Sequence, residues 1–104
     1  LANDLWEWDG GGWSRRTSFL YPSARFDAEL CFDPTTSSLH LYGGERLLHT
    51  LADHWVLGSN GWTPRAASAG PRRGHRMEFV PGHGVCVVGG YDGQRYRNEL
   101  ARYR

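Results

Sequence analysis

Asp4-Leu5-Trp6-Glu7-Trp8, followed by Gly12-Trp13-Ser14, returns later in the chain as Asp53-His54-Trp55-Val56-Leu57, followed by Gly61-Trp62-Thr63. Both parts are displaced by 49 positions, and each block runs on to a proline, Pro22 and Pro71, at the same displacement. A fixed period of this size marks a repeat architecture and takes precedence over any element-by-element assignment. Arg25-Phe26-Asp27-Ala28-Glu29-Leu30-Cys31-Phe32 aligns next with Arg73-Gly74-His75-Arg76-Met77-Glu78-Phe79-Val80. Leu39-His40-Leu41-Tyr42-Gly43-Gly44 aligns with Val85-Cys86-Val87-Val88-Gly89-Gly90, displaced by 46. A third copy of the opening strand starts at Asn98-Glu99-Leu100-Ala101-Arg102-Tyr103, with Ala101 where the earlier copies carry Trp6 and Trp55.

A period that drifts between 46 and 49 is what surface hairpins allow. Loop insertions cost little, whereas one residue inserted in a strand turns every later side chain to the opposite face. Each unit holds four short strand candidates: the run led by arginine, the run ending in Gly-Gly, the Asp-x-Trp run, and a short run starting at Trp13 or Trp62. Four strands per repeat predict an all-β chain of antiparallel propeller blades. The composition agrees, with 14 Gly and 5 Pro cutting the 104 residues into short runs that leave no place for a long helix.

Taken together and in this order, the proline then arginine, the apolar strand into Gly-Gly, the aromatic-rich strand and the Gly-Trp turn resemble kelch repeats over nearly the whole chain. The resemblance implies a kelch-type β-propeller with the arginine-led strand innermost, the Gly-Gly strand second, the Asp-x-Trp strand third and the Trp13 or Trp62 strand outermost. Residues 1–16 then supply the outer two strands of one blade, 17–65 a full blade, and 66–104 three strands of the next. That makes nine strands where two blades need eight, so closure requires further chain or further copies. Gly43, Gly44, Gly89 and Gly90 suit positions where positive φ or close blade contact excludes a Cβ. Trp6, Trp8, Trp13, Trp55 and Trp62 are expected to fill the space between blades, and His75 to hydrogen-bond a neighbouring blade.

Several functions are disfavoured. A formal charge of +1 is far from the excess that nucleic-acid binding requires. No apolar run approaches the roughly 20 residues of a membrane span. Cys31 and Cys86 sit in apolar runs far apart, as buried free thiols do. The five histidines lack the clustered spacing of a zinc site, and no Ser-His-Asp order or phosphate loop appears. No cofactor is expected.

What remains is a rim. The loop after each double glycine and the loop entering each inner strand emerge on the same face, because the first strand enters where the second leaves. This nominates Arg25, Glu45, Arg46, Arg72, Arg73, Tyr91, Asp92, Arg95 and Tyr96, with turn chemistry at Asp92-Gly93 and the Tyr and Arg types that dominate binding hot spots. The expected function is a non-catalytic binding module for a protein, a peptide or an anionic small ligand. Two alternatives stay open: part of a carbohydrate-acting propeller enzyme of the mutarotase or oxidase type, or a piece whose copies form a homo-oligomeric ring.

Overall fold

The computed structural model describes residues 2–66 and 69–103. Eleven strands are present among them: β1 (Leu5–Trp8), β2 (Trp13–Arg16), β3 (Glu29–Asp33), β4 (Ser38–Tyr42), β5 (Glu45–Arg46), β6 (His49–Thr50), β7 (His54–Gly58), β8 (Gly61–Arg65), β9 (Arg76–Val80), β10 (Gly84–Val88) and β11 (Leu100–Tyr103). The chain is all-β, in small antiparallel sheets: a four-stranded sheet β3-β4-β7-β8, a three-stranded sheet β11-β10-β9, and the two-stranded ribbons β1-β2 and β5-β6.

Pairing fixes which side chains share a face. In the four-stranded sheet Cys31 pairs with His40 and His40 with Val56, while Tyr42 pairs with His54. These residues lie on one side, and Leu30, Phe32, Leu39, Leu41, Trp55 and Leu57 lie on the other. The first side packs on the three-stranded sheet, where Met77 opposes Val87 and Phe79 opposes Val85. Cys31, Tyr42, Met77, Val85 and Val87 form the buried core, with Ala69, Phe79 and Tyr103 packed around it. Each fully buried Val or Met contributes about 1.5–3 kcal/mol. Both cysteines are free and buried.

The two sheets follow one plan. Phe26 and Glu45 exchange backbone hydrogen bonds, as do Arg73 and Tyr91. Phe26 therefore corresponds to Arg73 and Arg25 to Arg72, one residue away from the alignment that matches Arg25 to Arg73. Two adjacent arginines made the sequence ambiguous at this point, and a single-residue slip decides which of them points inward. The double glycines are required by close approach. A Cβ on Gly43 would lie 2.3 Å from the Arg72 carbonyl oxygen, and one on Gly90 would lie 2.9 Å from the Arg73 carbonyl oxygen. Both residues also have positive φ, 68° and 92°.

The tryptophans divide. Trp62 is buried and Trp55 half-buried, whereas Trp6, Trp8 and Trp13 are exposed. The expectation that all five fill space between sheets needs correcting for this last group. β1 and β2 pair only with each other among the described residues, so Trp8 and Trp13 touch mainly one another, at 5.6 Å between ring centroids. The far side of the four-stranded sheet is likewise only partly covered, with Leu30 and Phe32 about half exposed.

Candidate binding face

The loops that leave the double glycines and those that enter β3 and β9 meet at one end of the sheets. Gly44 N–H donates to the Arg72 carbonyl, Leu51 N–H to the Gly44 carbonyl, and Arg72 N–H to the Leu51 carbonyl. A Cβ on Gly93 would touch Thr50 at 3.4 Å, which sets the 91–97 loop beside β6.

Two nominated arginines do not belong to the exposed surface. Arg25 grips both Asp53 carboxylate oxygens at 2.6 and 2.8 Å and also donates to the Gly43 carbonyl and to Ser23. Burial opposes the charge on Asp53, but hydrogen bonds from Arg25 and Trp55 outweigh it and hold the carboxyl below its ordinary range. Arg72 is 1% exposed. It donates to the carbonyls of Gly89 at 3.0 Å and Ala69 at 2.6 Å and faces Glu99 at 3.6 Å. Both are internal clamps that tie the entry of the first strand of a unit to the acid beginning its third. A guanidinium satisfies several carbonyls and a carboxylate from one planar group, which suits it to this task.

The other nominated residues converge. Arg73 lies 3.0 Å from Glu45 and 3.6 Å from Asp27, with its guanidinium 5.1 Å from the centre of the Tyr91 ring. Tyr96 packs on Tyr91 at 5.2 Å yet stays 85% exposed. Arg73, Tyr91, Tyr96 and Arg97 line a shallow cleft of about 310 Å³. Asp92 organises the loop by accepting from the backbone N–H groups of Gln94 and Arg95 and from Arg97. The hydrogen bonds from Arg95 and Gln94 hold its pKa down at about 2. Arg97 bridges Asp92 and Glu99. Arg46 is half-buried and donates to the Ala24 carbonyl. Arg95 extends into solvent, 4.0 Å from Asp92.

Three features escape the repeat pattern. The turn between β5 and β6 is Leu47-Leu48, with φ of 50° and 68°. Positive φ at both central residues is the signature of a type I′ hairpin turn, which ordinarily takes Asn-Gly. These leucines are 70% and 93% exposed. The second feature is a histidine pair: β4 and β7 bring His40 and His54 together, Nδ1 to Nε2 at 2.8 Å. Burial, and the charge of its partner His40, lower His54 to about 4, and burial also lowers His40. Asp33 stands 4.0 Å from His40. No group of three or more potential metal ligands occurs among the described residues.

The third feature is His75. It was expected to hydrogen-bond a neighbouring blade. Among the described residues neither ring nitrogen makes a hydrogen bond of ordinary geometry, although the Tyr42 backbone of the adjacent sheet stands close enough to oppose the fall in its pKa. The ring instead packs edge-on against Tyr42 at 5.8 Å.

Compared with protein-family models the chain has no match, and among curated proteins none matches it either.

Proposed function

We propose that this chain is part of a kelch-type β-propeller and acts as a non-catalytic binding module that takes a protein or peptide segment on the face around Leu47-Leu48, Arg73, Tyr91 and Tyr96. The observation that carries the reading is the β5-β6 turn. Two exposed leucines held in left-handed backbone are costly, and strain of this kind is retained where the displayed side chains have a use. The tip belongs to the ribbon whose Glu45 faces Arg73 and whose Thr50 lies by Gly93 of the 91–97 loop, and the tyrosines and arginine of that loop and its neighbour are the types that dominate hot spots. A small anionic ligand fits less well, because Arg73 and Arg97 already face carboxylates and even the exposed Arg95 lies 4.0 Å from Asp92. The kelch assignment is supported by the strand order β3-β4-β7, which recurs as β9-β10-β11, and by the clamp of Arg25 on Asp53, repeated by Arg72 and Glu99.

The test is selection of binders from a displayed random peptide library on the immobilised protein, followed by calorimetric titration of hits. Hits are expected to carry apolar anchors and to lose about tenfold or more in affinity for the Leu47→Asn/Leu48→Gly double variant. Hits that bind both proteins equally, or turnover of sugar acids in parallel assays, would overturn the reading.

A further inference from the structure

Ser18 fastens a loop to the outermost strand of the four-stranded sheet. Its hydroxyl oxygen accepts from the Trp62 N–H at 2.8 Å, and its own N–H donates to the Tyr21 hydroxyl at 2.8 Å. Strand pairing explains why Trp62 takes this partner. Gly58 and Gly61 close the β7-β8 hairpin, with Trp62 opposite Leu57 and Pro64 opposite Trp55. Backbone groups in such a ladder point alternately toward and away from the partner strand. The Trp62 N–H points away from β7, and the next position of the same kind is Pro64, which has no N–H to offer. Of these two edge positions only Trp62 carries a donor, and Ser18 caps it. The seat is close: a Cβ on Gly61 would lie 2.3 Å from the Ser18 hydroxyl oxygen, and Gly61 and Trp62 are both buried.

The residues around Ser18 have the pattern of a kinase substrate. Arg15-Arg16-Thr17 precede it and Phe19 follows, so two guanidiniums stand three and two positions before a hydroxyl, with an apolar ring directly after. A protein kinase with an acidic cleft selects its substrates by such a charge pattern. Arg15 and Arg16 lie in β2 and are already extended; Arg15 is exposed, and Phe19 is 98% exposed. Arg16 faces Glu7 at 3.6 Å across the ribbon, a solvent-exposed pair that holds it weakly. Among the described residues the Ser18–Trp62 bond is the only hydrogen bond tying residues 17–21 to the sheet. One such bond adds little net stability, so a local opening frees the hydroxyl. We infer that Ser18 is a phosphorylation site for a serine/threonine kinase of this acidic-cleft class, and that phosphorylation detaches the 17–21 loop from β8.

In the transfer the Ser18 hydroxyl oxygen bonds to the γ-phosphorus of ATP while the bond from that phosphorus to the β,γ-bridging oxygen breaks. ADP leaves, and the hydroxyl proton passes to the kinase's base. The product does not return to the old seat. Phosphoserine carries nearly two negative charges at neutral pH, and its oxygens need water or several donors. Burying that charge against Gly61 and Trp62 costs far more than one N–H returns. The loop therefore stays off the strand, and the Trp62 N–H is left to solvent. This site is separate from the Leu47-Leu48 tip and does not depend on the partner reading of that face.

The test incubates the full 104-residue protein with ATP and the catalytic subunit of the cyclic-AMP-dependent protein kinase, whose cleft is acidic. Peptide mass spectrometry is expected to place one phosphoryl group on Ser18. Arg15→Ala/Arg16→Ala is expected to slow the modification by about tenfold or more. No incorporation, incorporation on Thr17 instead, or a rate indifferent to the two arginines overturns the site. A second measurement needs no substitution: amide hydrogen exchange is followed by NMR in the phosphorylated and unmodified proteins. The Trp62 amide is expected to exchange about tenfold faster or more after phosphorylation, while amides of β4 keep their protection. Unchanged or slower exchange at Trp62 overturns the detachment, and so does a loss of protection across the whole sheet.

Discussion

Replacing Leu47 with Asn and Leu48 with Gly is expected to make the protein more stable while weakening the binding proposed for that tip. Left-handed backbone costs an L-residue roughly 1–2 kcal/mol relative to the right-handed form, and both leucines occupy it, with φ of 50° and 68°. Their side chains are 70% and 93% exposed, so little apolar burial is lost on truncation. Glycine returns about 0.5–1 kcal/mol through the entropy of the unfolded chain, and asparagine tolerates the conformation without abolishing its cost. The net gain is about 1–2 kcal/mol, which for a domain of this size raises Tm by roughly 5–10 °C. Circular dichroism through a thermal ramp reads the shift. Urea unfolding should move the midpoint upward with an unchanged m value. A Tm equal to or below that of the parent protein would refute the reasoning, because the leucines would then be supported by packing and their strain would be no evidence for a partner.

Arg72→Ala is expected to cost about 2–4 kcal/mol in urea unfolding, since it strands the Gly89 and Ala69 carbonyls and empties a buried site. Arg95→Ala, at an exposed position, should stay within about 0.5 kcal/mol in the same experiment. Burial depresses His54 and His75 to about 4, below their ordinary 6.5. The unfolded chain therefore binds more protons between those values, so the stability these groups contribute is complete above about pH 6.5 and declines as pH falls toward 4. Urea midpoints at pH 7.5, 6 and 5 should drop in that order. His75→Phe is expected to hold or raise stability at pH 7.5, because it removes two buried nitrogens that make no hydrogen bond of ordinary geometry among the described residues, and to flatten the acid decline; a steeper decline would contradict this.

Much of the strand plan was legible because it was written twice. The period located the strands of both large sheets, and the double glycines marked where the chain leaves them. What the period could not resolve was a choice within Arg72-Arg73, and that choice decides which arginine is a clamp and which is surface. That Tyr91 and Tyr96 share one loop was legible because Asp92-Gly93 announces a turn between them. His40 and His54 were not, since their meeting depends on β4 lying beside β7 across a loop that contains a ribbon of its own. Leu47 and Leu48 were hidden for a different reason: hydrophobic pattern reading assigns leucine to a core, and only the backbone angles reveal a turn that displays it. The exposure of Trp6 and Trp13 could not be read at all, because a repeat states what a position packs against only when its neighbour is present.

The Arg25 clamp also bears on the order of folding and on the lifetime of the folded chain. Hairpins such as β3-β4 and β7-β8 close over a few residues in microseconds, whereas Arg25 must find Asp53, 28 positions along. Its guanidinium reaches both carboxylate oxygens only after β3, β4 and β7 have aligned, so it belongs to the downhill side of the folding barrier. Interactions formed there leave the refolding rate almost untouched and are felt on the unfolding limb. The paired arginine clamps thus set how long each sheet survives between openings, and with it the time during which a protease can find the chain undone.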